Sequence, residues 1–137
     1  MSIRIILADD HRIVREGLQS LLASLPAMEV IADAEDGPAV VKLSRELRPD
    51  LIIMDIGMPE LNGMEATRQI RAECPQVKVV ALSMHSEARF VTEMFKACAS
   101  AYLLKDSAFE ELACAIGIVL ANGTYITPEL VGAGAGG

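Results

Sequence analysis

Tryptophan is absent, and two Tyr with three Phe make up an aromatic share of only 4 %. A core of any size must therefore be aliphatic, drawn from a chain that is 52 % hydrophobic. Cysteine is nearly as scarce, and Cys74, Cys98 and Cys114 stand far apart. An odd, scattered set supplies neither zinc-ligand spacing nor a disulfide framework; it reads as small core thiols in a reducing cytosol. No apolar run comes near the ~20 residues of a membrane span, and no basic start leads into the apolar stretch of a secretory signal. A cytoplasmic chain with no membrane partner is expected. Positive charge is in deficit: 12 Lys and Arg against 19 Asp and Glu leave a net −7. Such a surface repels a phosphate backbone, so this chain by itself is not expected to bind DNA.

What is present is an alternation of short apolar runs with helical periodicities. "IRIILA" (3–8), "MEVIADA" (28–34), "LIIM" (51–54), "VKVVAL" (77–82) and "AYLL" (101–104) read as five strands. Between them, Val14, Leu18, Leu21 and Leu25 fall on one helical face, as do Val91, Met94, Phe95 and Cys98. Asp36–Gly37–Pro38 opens a helix to about Leu47. A helix from about Ser86 ends near Ala97, and the last, carrying Leu112, Ala115, Ile116, Val119 and Leu120, stops at Asn122–Gly123. Nearly continuous apolar strands separated by helices predict an α/β fold, a doubly wound parallel sheet of five strands in the order 2-1-3-4-5, flavodoxin-like, with helices on both faces. Residues 1–123 form the one expected domain. Residues 124–137, ending in "VGAGAGG", read as a linker or tail.

In such a sheet every strand ends along one rim. There the sequence delivers Asp9 and Asp10 after strand one, Asp55 after strand three, Ser83 after strand four and Lys105 after strand five. Carboxylates ~4 Å apart repel by about 4 kcal/mol at an effective dielectric of ~20. One ammonium cannot balance three of them. A hard divalent cation can, and Mg²⁺ binds through one or two carboxylates while keeping waters for a further ligand. Asp55 beside that ion is placed to act as a nucleophile toward phosphorus, forming an aspartyl-phosphate. Lys105 and Ser83 would stabilise the equatorial oxygens. His11 and His85 lie near the rim in sequence, but imidazole suits Mg²⁺ poorly and neither is read as a ligand.

"ILADDH", "MDIGMP…NG", "ALSMH" and "YLLKD" together resemble the receiver domain of two-component response regulators, in the NarL/FixJ (LuxR-type) branch. The resemblance spans about residues 3–122 and each motif lies at a strand end. It implies a phosphorylation-dependent signalling switch rather than an enzyme, a domain that catalyses only its own phosphorylation and dephosphorylation. Asp55 would be phosphorylated by a sensor histidine kinase. Mg²⁺, with Mn²⁺ as a substitute, would be bound by Asp10, Asp55 and the Gly57 carbonyl, with Asp9 acting through water. Lys105 and Ser83 would contact the phosphoryl group, and Ser83 with Tyr102 would form the switch pair. Met84, beside the phosphoryl position, is expected to shield the acyl phosphate and lengthen its lifetime. The output surface would be the fourth helix, fifth strand and fifth helix, leading to a phosphorylation-dependent homodimer. Control of transcription would run through a C-terminal helix-turn-helix outside this chain.

Three other classes fit less well. A phosphatase of the haloacid dehalogenase type has a second Asp two residues after its nucleophile, and Gly57 stands there. A dinucleotide-binding module needs glycines in the first turn, where "ADDHRIVREG" has acids. A receiver that has lost phosphorylation usually loses part of the acid–lysine set, which is complete here. Two departures from the family pattern stand out: Asp106 follows Lys105 where many receivers have Pro, and Cys98 and Ala101 occupy positions where Gly is frequent.

Overall fold

The structure, a computed structural model, describes residues 2–58, 63–84 and 88–128, with the backbone alone at 88 and 89. Asn62, His85, the expected helix start at Ser86 and the glycine-rich end from 129 lie outside the described residues. The chain alternates β1 (Ile3–Ala8), α1 (Arg12–Ala23), β2 (Met28–Ala34), α2 (Gly37–Leu47), β3 (Leu51–Asp55) and α3 (Gly63–Glu73). It continues with β4 (Lys78–Ser83), α4 (Ala88–Lys96), β5 (Ala101–Leu104), α5 (Lys105–Leu120) and β6 (Tyr125–Ile126). All neighbouring strands are parallel, in the order β2-β1-β3-β4-β5-β6.

The five-stranded expectation is thus corrected by one strand. Residues 125 and 126, expected in a tail, pair with Ala101 and Tyr102 of β5. A two-residue strand is too short to show a strand period in sequence. The helix before them ends where expected: Asn122 takes φ 68°, and Gly123 N–H returns to the Ile118 carbonyl at 2.9 Å.

Residues of the inner strands alternate between two cores, which is why those strands are nearly continuous in apolar residues. Ile5, Leu7, Leu51, Ile53, Val80 and Leu82 face α1 and α5, where Leu18, Leu22, Leu112, Ile116 and Val119 meet them. Ile6, Ala8, Ile52, Met54 and Val79 face α2 and α3 with Val40, Val41, Ala66 and Ile70. Each such Leu or Ile, taken fully out of water, contributes about 1.5–3 kcal/mol. A third cluster places Tyr102 and Ala81 under Val91 and Met94 of α4, with Phe90 packed at its margin.

The thiols divide differently from expectation. Cys74 is buried, but Cys98 and Cys114 are exposed. Cys98 stands just beyond α4 with φ 71°, its N–H bonded to the Phe95 carbonyl, while Ala99 N–H reaches the Met94 carbonyl. That is a left-handed helix terminus, the conformation glycine adopts most cheaply. The backbone before Tyr102 therefore keeps the glycine-type shape although a cysteine occupies it. No cis peptide occurs among the described residues, so the Lys105–Asp106 bond is trans.

Candidate functional site

The rim beyond Ala8 and Asp55 is built by local bonds that turn acids inward. Asp9 Oδ1 accepts the His11 N–H at 2.7 Å, fixing the start of α1. Arg15, one turn into that helix, donates to the Asp9 carbonyl at 2.7 Å and to Glu35 at 3.1 Å. At the end of β3, Asp55 Oδ1 accepts the Gly57 N–H at 2.9 Å, which bends the chain away and leaves Oδ2 directed elsewhere. The first residue of α3 then presses against this turn. A β-carbon on Gly63 would lie 2.5 Å from Ile56 Cα and 2.6 Å from the Asp55 carbonyl oxygen, so only glycine fits there undisturbed.

Lys105 crosses the rim and joins the two buried acids. Its Nζ lies 3.1 Å from Asp55 Oδ2 and 3.2 Å from Asp9 Oδ2, with 8 % of the side chain exposed. Asp9 Oδ2 is buried and takes no hydrogen bond among the described residues, so its contact with Lys105 is a charge contact. Asp10, 32 % exposed, completes the cluster. The carboxylates of Asp9, Asp10 and Asp55 and the His11 ring each offer an atom within 4.8 Å of the others. Three carboxylates against one ammonium leave an excess that matches the charge of a divalent cation, and the orphaned Asp9 oxygen is an acceptor such an ion or its water could use. The all-oxygen acids fit a hard cation.

Ser83 closes the cleft as expected, 1 % exposed at the end of β4. His11, Asp55, Ile56, Gly57, Ser83, Met84 and Lys105 line a hollow of about 170 Å³. Met84 stands at this hollow, yet 72 % of it faces solvent. Tyr102 is fully buried and β6 covers its strand, so it is neither half-exposed nor at the sheet edge.

The sequence places His11 near the rim and Gly63 in the "MDIGMP…NG" motif without giving either a role there; in the structure His11 Nδ1 lies 3.0, 3.3 and 3.7 Å from the carboxylates of Asp9, Asp10 and Asp55. It also lies 3.0 Å from Lys105 Nζ, so the tautomer decides whether it donates to Asp9 or accepts from the lysine. The adjacent acid pair was the available signal. Gly63 closes the "MDIGMP…NG" motif, but its contact with the Asp55 backbone is set by tertiary packing, and Arg15 carried no signal.

The half-buried Tyr125–Glu111 pair lies away from this cleft. Its 2.7 Å bond runs from the phenol to the carboxylate, and burial together with that bond pushes the phenol up to about 12.

Comparison with known proteins agrees with this geometry. The model of the response regulator receiver domain matches residues 5–117. The transcriptional regulatory protein DegU of Brevibacillus brevis is 44 % identical over 93 % of this chain and 54 % of its own length. The response regulator GacA of Pseudomonas aeruginosa is 38 % identical over 93 % of this chain and 60 % of its own. This chain therefore spans a little over half the length of these curated relatives. A crystal structure of a LuxR-family two-component response regulator from an Aurantimonas species superposes with a TM-score of 0.94 at 37 % identity, covering 99 % of this chain and 97 % of that one. With a doubly wound sheet, an acid cluster facing a lysine at its carboxyl rim and a family match over most of its length, the chain belongs to the response regulator receiver domains, the phosphorylation-dependent signalling units of two-component systems.

Proposed function

We propose that Asp55 is the phosphoacceptor, and that the signal it receives comes from the phosphohistidine of a sensor kinase. The observation that carries this is the convergence of Asp55, Asp9 and Lys105 within 3.2 Å contacts at the strand ends, with one buried Asp9 oxygen left without a hydrogen bond. An Asp55 oxygen attacks phosphorus as the phosphorus–nitrogen bond of the donor breaks. The electron pair stays on the imidazole nitrogen, and Asp55 becomes a mixed anhydride. Hydrolysis reverses the state: water attacks phosphorus, inorganic phosphate leaves and the carboxylate is restored.

Lys105 holds positive charge against the transferring oxygens and Ser83 offers its hydroxyl to them. Asp10, Asp55 and the Gly57 carbonyl would hold Mg²⁺ (or Mn²⁺), with Asp9 acting through water. The ion would supply charge neutralisation at phosphorus. Drawing Ser83 toward the phosphoryl group alters the packing of Tyr102 under α4, and so the surface of α4, β5 and α5. A switch from 1:99 to 99:1 needs about 5.5 kcal/mol of preference for the active state. Met84 shields the anhydride; an unchanged dephosphorylation rate in Met84→Ala would remove that role. The output is homodimerisation and, through a helix-turn-helix beyond this chain, transcription in the cytoplasm, in keeping with relatives described as transcriptional regulatory proteins.

The test is incubation with phosphoramidate and Mg²⁺ followed by intact mass measurement. One added phosphoryl group, lost with chelator and absent in Asp55→Asn, is the expected result. An unmodified wild-type chain would overturn the proposal.

A further inference from the structure

Thr127 is polar yet wholly buried, on a segment that looked like a tail. Its Oγ1 accepts the Leu104 N–H at 3.1 Å, and its own N–H donates to the Tyr102 carbonyl at 3.0 Å. These two bonds bracket Leu103 from the outer edge of β5. Leu104 is the last residue of that strand and the N-cap of α5, whose side chain supplies no cap. An N-cap residue and the first helical residues have no intrahelical acceptor for their N–H groups. Here one such donor is taken up from outside, by the hydroxyl of the residue just after β6.

The residue that follows is Lys105. Its position as the first residue of α5 decides whether its ammonium reaches Asp55 and Asp9, 3.1 and 3.2 Å away. We infer that Thr127 is a positioning residue for Lys105: by holding the Leu104 N–H it sets where β5 ends and α5 begins, and so where the ammonium stands over the acid cluster. The inference rests on the proposed role of Lys105 toward a phosphoryl group on Asp55. It also gives β6 a purpose beyond covering an edge, since whatever follows residue 127 is then tied by backbone to the lysine of the site.

Valine has nearly the shape of threonine and fills the same buried space without the hydroxyl. Thr127→Val therefore removes the acceptor and leaves the Leu104 N–H without it, while Thr127→Ser keeps it. Tyr125→Phe, on β6 two residues before Thr127, removes the Glu111 bond and leaves the Leu104 bond alone. It is the control for simple loosening of β6.

The experiment measures the rate of Mg²⁺-dependent phosphorylation by phosphoramidate for the whole chain and these three variants, with the Lys105 backbone amide resonance recorded without donor. Thr127→Val is expected to slow phosphorylation about tenfold, less than the roughly hundredfold loss from a full ångström of misplacement. Thr127→Ser is expected to restore the rate, Tyr125→Phe to match wild type, and the Lys105 amide to shift only in the valine variant. Equal slowing in Thr127→Val and Tyr125→Phe would overturn the inference in favour of general loosening, and so would a valine variant as fast as wild type. Should the wild type take no phosphoryl group, the receiver chemistry itself falls. The amide then decides the geometry alone, and an unmoved Lys105 resonance in Thr127→Val overturns the positioning role.

Discussion

Strand β3 carries a carboxylate at each end, and the two could hardly be treated more differently. Asp50, at the entry, is exposed and its groups are engaged locally: the side chain accepts the Arg4 N–H at 2.8 Å, and its backbone bonds to Arg4 and Lys78. Arg4 in turn donates to the Arg48 carbonyl at 3.0 Å. Asp55, at the exit, is 3 % exposed and shares one ammonium with a second buried acid whose oxygen lacks a hydrogen bond. One rim has its polar groups matched and water at hand. The other concentrates like charge out of water around a single ammonium, an excess of negative charge that a further cation would relieve. The contrast teaches that a carboxylate at a strand end signals function only when its neighbours fail to balance it.

The sharpest way to break the comparison is to add Mg²⁺ to variants of each rim. A cation that binds only the folded state raises stability by about 2.7 kcal/mol at a hundredfold excess over its dissociation constant. Calorimetry should show such a rise in melting temperature for the wild type and for Asp50→Ala, and none for Asp55→Asn. A rise that survives in Asp55→Asn would place the ion elsewhere.

Next in size is the support beneath the acid. Gly63→Ala drives a methyl into the backbone of Asp55 and Ile56, and overpacking of that kind costs about 1–3 kcal/mol. Urea unfolding should show the loss, and phosphorylation should slow with it because the acid itself is displaced. Asp50→Ala, by contrast, should lose only about 1 kcal/mol, the worth of one ordinary hydrogen bond, and leave phosphorylation unchanged.

Smaller still is Cys98→Gly. Left-handed backbone strains a side-chain-bearing residue by about 1–2 kcal/mol, against about 0.5–1 kcal/mol of extra chain entropy for glycine. Stability should rise by roughly 0.5 kcal/mol in the same urea titration. A fall would mean that the thiol makes a contact worth more than the strain.

The smallest effect lies at Tyr125, away from the acid cluster. Its phenol titrates at about 12 in the folded chain, above the ordinary value near 10. The neutral phenol is the form that folding favours. Its contribution is complete below pH ~10 and fades as pH climbs from there toward about 12. Ultraviolet absorbance should resolve this late ionisation, and Glu111→Gln should bring it earlier.

The sequence by itself determined the strand–helix alternation, the parallel order of the first five strands and the rim on which Asp9, Asp10, Asp55, Ser83 and Lys105 gather. These follow from local periodicity and from the rule that parallel strands end on one side, so no contact had to be seen. Tertiary structure alone decided the rest. It put the His11 ring among the acids, set Gly63 against the Asp55 backbone, buried Tyr102 beneath α4 and turned Tyr125–Ile126 into a sixth strand. Each of these depends on partners distant in the chain or on too few residues to show a period, and packing energy is not written in either.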